Sequence, residues 1–278
     1  MNRKNHIPIK TVGRQMAQLL MALADQSKTM FSLKEAVAIT GLRPGSASTL
    51  LHKAAKRGLI SHLKRGLFIV IPSEMGSGRE YAGNPYLIAR RLASEAPYFI
   101  SHASAMEIHR MVTQPQLAIF VSSTKRIPNQ TLQNTEFRFV LLQADHYFGI
   151  LQHWVSKQES IVISDIERTV IDGLRQPHYC GGISEVAKGL WMRRKDLQAD
   201  KLVDYALRLN TGAVVRRLGY LMELYTIGSE GSLARLKEAL TPTYVALDPT
   251  MPKEGPYLKR WRLQLNIPAQ ELEAVRGV

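Results

Sequence analysis

The amino-acid sequence predicts an α+β protein in two parts, and three observations carry that prediction. Residues 31–72 read as a short helix, a turn, a second helix and then two apolar strands. Beyond residue 84 the strands come as a group and the helices as a later group, the order of α+β rather than doubly wound folds. Positive charge gathers in the first 72 of the 278 residues instead of spreading evenly. A chain of this length holds two domains or one large one.

The elements follow in order. Residues 1–10 form a polar, basic arm without apolar periodicity. From Thr11 to Gln26 the apolar residues Val12, Met16, Leu19, Leu20 and Leu23 recur at three- and four-residue spacing, which predicts a helix. Ser32 with Glu35 three positions on is a capping box for a helix over Leu33–Thr40, which stops at Gly41. Arg43-Pro44-Gly45 makes a turn, and Ser46 is the expected cap of a third helix reaching Arg57 and closed by Gly58. Leu59–Leu63 and Leu67–Ile71 are apolar runs joined by the tight turn Lys64-Arg65-Gly66, a hairpin whose Gly66 suits positive φ. This order is the outline of a winged helix-turn-helix over residues 1–72. Three glycines and two serines in 73–83 mark a linker.

The second domain, 84–278, opens on Asn84-Pro85, a helix start. A helix is expected over Ser101–Val112. Strands are expected, in antiparallel arrangement, over Gln116–Ser122, Glu136–Leu142, Tyr147–Val155 and Ser160–Ile163, where Ile, Val, Phe and Leu dominate. Helices are expected over 165–175, 184–195, 198–209, 211–226 and 231–240, followed by a Pro-rich tail with Trp261.

Charge narrows the function classes. Residues 1–72 hold twelve Lys and Arg against Asp25 and Glu35, a net +10 of the chain's +14. A local basic block of this kind is the footprint of a polyanion-binding surface. In the third helix, Ala47, Leu50, Leu51, Ala54 and Ala55 share one face and pack inward. The second helix of such a pair enters the major groove of duplex DNA with its first residues nearest the bases. Ser46, Ser48, Thr49 and His52 are therefore candidates for base edges, short side chains that give modest direct readout. Lys53, Lys56 and Arg57 are candidates for phosphate, and Arg43 for either. Lys64 and Arg65 at the wing tip are placed for the sugar-phosphate backbone or a minor groove.

The single cysteine, Cys180, excludes a disulfide within one chain and suits a reducing compartment. No apolar run reaches the ~20 residues of a membrane span. A cytoplasmic protein without a membrane role is expected. The catalytic suspects in the second domain have local explanations. Ser164 and Glu167 fit a capping box. Arg168 and Asp172 are i,i+4 partners. Cys180 and His178 lack companions for a metal ligand set. His102 reads as a structural hydrogen-bonding residue at a helix start. No catalytic residue, cofactor or metal site is expected. Two other readings remain open at this point: a winged helix that targets a nuclease-like enzyme to DNA, and a protein-binding adaptor.

Several stretches, in this order along one chain, resemble the AbiEi family, the antitoxin and transcriptional-regulator component of AbiE abortive-infection (type IV) toxin–antitoxin systems of phage defence. They are Arg65-Gly66-Leu67-Phe68, then Tyr98-Phe99-Ile100-Ser101-His102-Ala103-Ser104-Ala105. Ser164 to Asp172 follows with its Glu167-Arg168-Thr169 triplet, then Leu247-Asp248-Pro249 with Trp261 and Asn266. The resemblance implies a repressor of its own operon that binds inverted repeats in the promoter through the N-terminal domain. It implies a C-terminal domain that supplies antitoxin activity against a nucleotidyltransferase-like toxin encoded next door, without a required stable complex. Binding inverted repeats would place two copies on one site, through dimerisation or cooperative loading.

Overall fold

The structure is a computed structural model describing residues 12–72, 83–93, 96–112, 114 and 117–277. The basic arm expected over 1–10, and the expected linker apart from Gly83, lie outside the described residues. The chain divides into two compact units. The first runs to Arg91 and takes in residues 131–135 and 154–159; the second holds the rest.

In the first unit, α1 (Arg14–Asp25) buries Met16, Leu19 and Leu23, the stripe that its periodicity dictates. The capping box of α2 (Leu33–Thr40) forms as expected: Glu35 N donates to Ser32 Oγ at 3.2 Å, and Ser32 N donates to a Glu35 carboxylate oxygen at 2.7 Å. Gln18 Nε2 on α1 donates to the Ile39 carbonyl at 3.1 Å, tying α1 to the last turn of α2. The third helix, α3 (Pro44–Lys56), starts earlier than expected. Arg43, not Ser46, is its N-cap, and Pro44 takes the first helical position, where its fixed φ and missing N–H cost nothing.

A strand that the sequence reading lacks, β1 (Met30–Ser32), precedes α2. It pairs antiparallel with β3 (Leu67–Val70), which pairs antiparallel with β2 (Ile60–Lys64), giving the order β1-β3-β2. Helix, strand, helix, helix and hairpin in this order make a winged helix-turn-helix. Its core joins Met16, Leu19, Leu23, Phe31, Ala36, Leu51, Ala54, Ile60 and Phe68. Phe31 stacks on Phe68 across the β1–β3 pair at 5.7 Å. Gly66 sits at φ +76°, the backbone that the turn needs and that a side chain rarely adopts. The Gly66 carbonyl accepts from Leu33 N at 2.9 Å, which anchors the wing turn to the start of α2.

Asn84 caps α4 (Pro85–Ala93), its Oδ1 accepting from Tyr86 N at 2.9 Å. The strands β4 (Tyr98–Ile100), β5 (Ala118–Ser123), β6 (Gln130–Leu132), β7 (Thr135–Leu141), β8 (Ile150–Trp154) and β9 (Ser160–Ser164) form one sheet in the order β6-β7-β5-β4-β9-β8. It is mixed rather than antiparallel throughout: β5 runs parallel to β7 and β4 parallel to β9, while β4 and β5 are antiparallel. The short strand β4 went unread because its partners β5 and β9 lie far along the chain, and β6, which pairs with β7 across the two-residue turn Gln133-Asn134, because three residues carry little pattern. Helix α5 spans only His102–Ile108, shorter than expected, with Ser101 as N-cap.

Five helices follow: α6 (Ile166–Arg175), α7 (Ile183–Met192), α8 (Ala199–Leu209), α9 (Gly212–Tyr225) and α10 (Glu230–Glu238). Val170, Leu174, Val186, Leu190, Leu202, Leu218 and Leu221 bury in their shared core. The expected Pro-rich tail is folded. β10 (Val245–Ala246), β11 (Tyr257–Leu258) and β12 (Leu263–Gln264) form a small sheet with β12 central, and α11 (Ala269–Ala274) follows. Trp261 and Leu272 from this segment are fully buried in the core of the helices.

Candidate nucleic-acid interface

All ten residues singled out by sequence, Arg43, Ser46, Ser48, Thr49, His52, Lys53, Lys56, Arg57, Lys64 and Arg65, are solvent-exposed. Helix α3 buries Ala47, Leu51 and Ala54 and half-buries Leu50 and Ala55, so its polar face is left to solvent. Among the described residues, no carboxylate pairs with Arg43, Lys53, Lys56 or Arg65. Unpaired exposed cations leave their full field for an external anion.

The hydroxyls differ in readiness. Thr49 Oγ1 donates to the Gly45 carbonyl one turn back at 3.0 Å, so its proton is committed and it offers an acceptor. Ser46, at the third helical position, caps nothing. Because α3 begins at Pro44, Arg43 precedes the helix directly and its side chain makes no cap bond. Lys53 and Lys56 fall in the last turn, at the negative end of the helix dipole, which favours cations there.

The wing is built by packing. β2 alternates, with Ile60 and Leu63 buried and His62 and Lys64 exposed. A bulge falls between His62 and Lys64, next to the turn that carries Arg65. The His62 ring meets Phe68 edge-on at 5.2 Å. Two exposed side chains of a fitting kind were missed by sequence reading, Lys34 in α2 and His62 in β2. The basic count already contained Lys34, and the alternation of β2 placed His62 outward.

Few acids offset this surface. Glu35 is engaged in its capping box, lies 3.4 Å from Lys28 Nζ and pairs with Arg91. Burial works to raise its pKa, but the Ser32 hydrogen bonds and Arg91 outweigh it, and the carboxyl is held below its ordinary value.

The charged suspects of the second unit are fastened to their neighbours. The capping box expected from Ser164 and Glu167 does not form. Asp165 is the N-cap of α6, accepting from Arg168 N at 2.8 Å. Ser164 Oγ is drawn to Thr169 Oγ1 at 2.8 Å instead. Glu167 accepts from Gln198 N at 2.9 Å and from Lys201 Nζ at 2.8 Å. Burial works against the Lys201 charge, but its bonds to Glu167 and Asp165 prevail and raise its pKa. Arg168 and Asp172 pair at 2.9 Å, both fully enclosed. The guanidinium lies 4.3 Å from the Phe148 ring centroid and donates to the His146 carbonyl.

His102, at φ +51°, is enclosed between Ser101 Oγ at 2.8 Å and Gln176 Oε1 at 3.3 Å. Burial pushes its pKa down to about 4. Cys180 is buried, and burial pushes its thiol well up, away from a reactive thiolate. Among the described residues no three His, Cys, Asp or Glu come together to hold a metal ion. No described helix is long and apolar enough to cross a membrane.

No protein-family model and no curated protein matches the chain. The fold is similar to a solved structure, the crystal structure of the RV2827C protein from Mycobacterium tuberculosis, with a TM-score of 0.69 over 96% of each chain at 15% identity. At that identity the likeness speaks for architecture alone: this is an α+β chain that opens on a winged helix-turn-helix.

Proposed function

We propose that the protein is a sequence-specific DNA-binding repressor that acts in the cytoplasm on inverted repeats in its own promoter and serves as antitoxin of an AbiE-type pair. One observation carries the DNA-binding part. The polar face of α3 and the wing tip expose every cation expected there, without carboxylate partners at Arg43, Lys53, Lys56 or Arg65. In this reading α3 lies in the major groove. Ser46, Ser48, Thr49 and His52 face base edges, and Lys53, Lys56 and Arg57 face phosphates. Lys64 and Arg65 take the flanking backbone, and Lys34 adds a phosphate contact where α2 crosses it. Two copies on half-sites about one helical turn apart, roughly 34–36 Å, would cover the promoter and exclude polymerase.

The antitoxin part rests on the order of motifs resembling the AbiEi family, with a nucleotidyltransferase-like toxin as functional partner. The reading that no catalysis occurs in the second unit is supported by Glu167, Arg168 and Asp172, whose charges go to structural partners. The test is a footprint of the purified protein on the DNA upstream of its own gene. Protection of paired inverted repeats is expected. Uniform protection, or none at any concentration that binds non-specific DNA, would refute operator recognition.

A further inference from the structure

The turn joining β11 to β12 reads Lys259-Arg260-Trp261-Arg262, three cations around one tryptophan. The tryptophan is an anchor. Its side chain is fully buried, and its Nε1 donates to Glu223 at 2.6 Å. Its ring lies against the backbone of α9 at Gly219, where any Cβ would come within 2.1 Å of it. With Trp261 pinned inward, Lys259 and Arg260 on the same turn are exposed and Arg262 half-exposed. Arg262 sits at φ +51°, and its guanidinium donates to the Thr241 carbonyl at 3.1 Å. Lys237 of α10 reaches over the Trp261 ring at 5.4 Å.

These cations surround a cavity of about 450 Å³ lined by Lys237, Leu240, Tyr244, Lys259, Arg260 and Arg262. Among the described residues Glu223 is the carboxylate that pairs with the turn, at 2.5 Å from Arg260. Behind the patch, Arg216 is buried with carbonyl and hydroxyl partners at Thr241 and Thr243 and no carboxylate. Burial and the nearby Arg262 both work against its charge. Two exposed aromatic rings complete the surface. Tyr244 and Tyr257 meet edge-to-face at 5.3 Å, 44% and 65% exposed.

Cations that follow a backbone and exposed aromatic rings that take base faces are the two components of single-strand recognition. We infer that the second unit carries a binding site for single-stranded nucleic acid, with phosphates on Lys237, Lys259 and Arg262 and a base on the Tyr244–Tyr257 pair. Arg260, held by Glu223, borders the site. This site is separate from α3 and the wing, and it does not depend on the duplex reading.

The test uses the full chain and labelled twelve-nucleotide oligouridine RNA, the matching deoxy-oligonucleotide and a random duplex, followed by fluorescence anisotropy at low salt. Tyr257→Ala is expected to weaken single-strand binding by roughly 5- to 150-fold, the range for losing one stacked base. Tyr244→Phe, which keeps a stacking face, is expected to leave it nearly unchanged. Lys259→Ala is expected to flatten the salt dependence by about 0.7 in log–log slope. Lys53→Ala/Lys56→Ala is expected to spare it. The relative affinity for the RNA and DNA strands then tells which sugar the site accepts. The inference is overturned if neither strand binds, if Tyr257→Ala binds as wild type, if Lys53→Ala/Lys56→Ala abolishes single-strand binding, or if the patch variants weaken only the duplex.

Discussion

Replacing Lys53 and Lys56 together by alanine tests the electrostatic share of the proposed duplex binding. Both side chains are exposed and lack carboxylate partners, so their removal leaves no buried charge stranded. The cost to the fold is the loss of two favourable helix-dipole contacts, about 0.3–1 kcal/mol each. The cost to binding is larger. If each of the six cations on α3 and the wing neutralises one phosphate, the log–log salt slope is about −5.4 per bound copy. Raising salt from about 50 to 200 mM then weakens the wild type roughly a thousandfold and more. The double variant retains four contacts and a slope of about −3.6, so the same change in salt costs it roughly 150-fold. Gel-shift titrations on the operator and on a scrambled duplex, at four salt concentrations, read both slopes. Specificity between the two duplexes should be unchanged, because phosphate contacts carry no sequence. A slope equal to wild type, with the helix content intact by circular dichroism, would refute the placement of α3 against phosphate.

Three other expectations test different levels of the same argument. Thr49→Ala and His52→Ala should each shift the preferred sequence in a selection from random duplexes, at one base pair and by no more than the about 1–3 kcal/mol that a bidentate contact gives; an unaltered consensus for both would remove these residues from the groove. Ser32→Ala breaks the α2 capping box and should cost about 0.5–2 kcal/mol in urea unfolding of the first unit, with no loss counting against the cap as a stabilising device. His102 is held neutral, with its pKa lowered to about 4 against an ordinary 6.5. The unfolded chain therefore binds the proton first as pH falls, and wild type should lose up to ~3 kcal/mol of stability between the ordinary and the lowered value. His102→Asn, which tolerates the positive φ, should lose correspondingly less when unfolding is measured at pH 7 and pH 4.5; an identical pH dependence would show that another group governs acid sensitivity.

The parts of the fold that were legible in the sequence are those decided locally. Met16, Leu19 and Leu23 announce α1, the Ser32–Glu35 pair announces α2, and Gly66 announces the wing. The exposure of all ten candidate residues was legible for the same reason, since helix and strand periodicity sort inward from outward. What escaped depends either on pairing far along the chain or on competition between neighbouring residues for one role. Met30–Ser32 is too short to read as a strand without its partner Leu67–Ile69. Ser164 and Asp165 are both competent caps; the choice fell to Asp165, with Ser164 Oγ bonded to Thr169 Oγ1. Pro44 outranked Ser46 as the helix start because a proline at the first position needs no cap bond to hold its φ. The cationic turn around Trp261 was visible as a four-residue string, but only burial of the tryptophan makes its neighbours a surface.

That burial also bears on the order in which the chain becomes protein. Domains are generally made and folded from the N-terminal end. The hydrophobic cluster of the winged helix draws on residues between Met16 and Val70, so it can close while the rest is still being synthesised. The second unit cannot. The groove at Gly219 stays open until Trp261 arrives to fill it, and the Tyr225 hydroxyl has its acceptor, the Leu272 carbonyl at 2.8 Å, only once that residue is made. A ribosome stalled before that segment would hold out a closed winged helix joined to an apolar, unsealed helical half, a species prone to aggregate. The core of the second unit is therefore completed by residues from the last part of the chain, Trp261 and Leu272 among them.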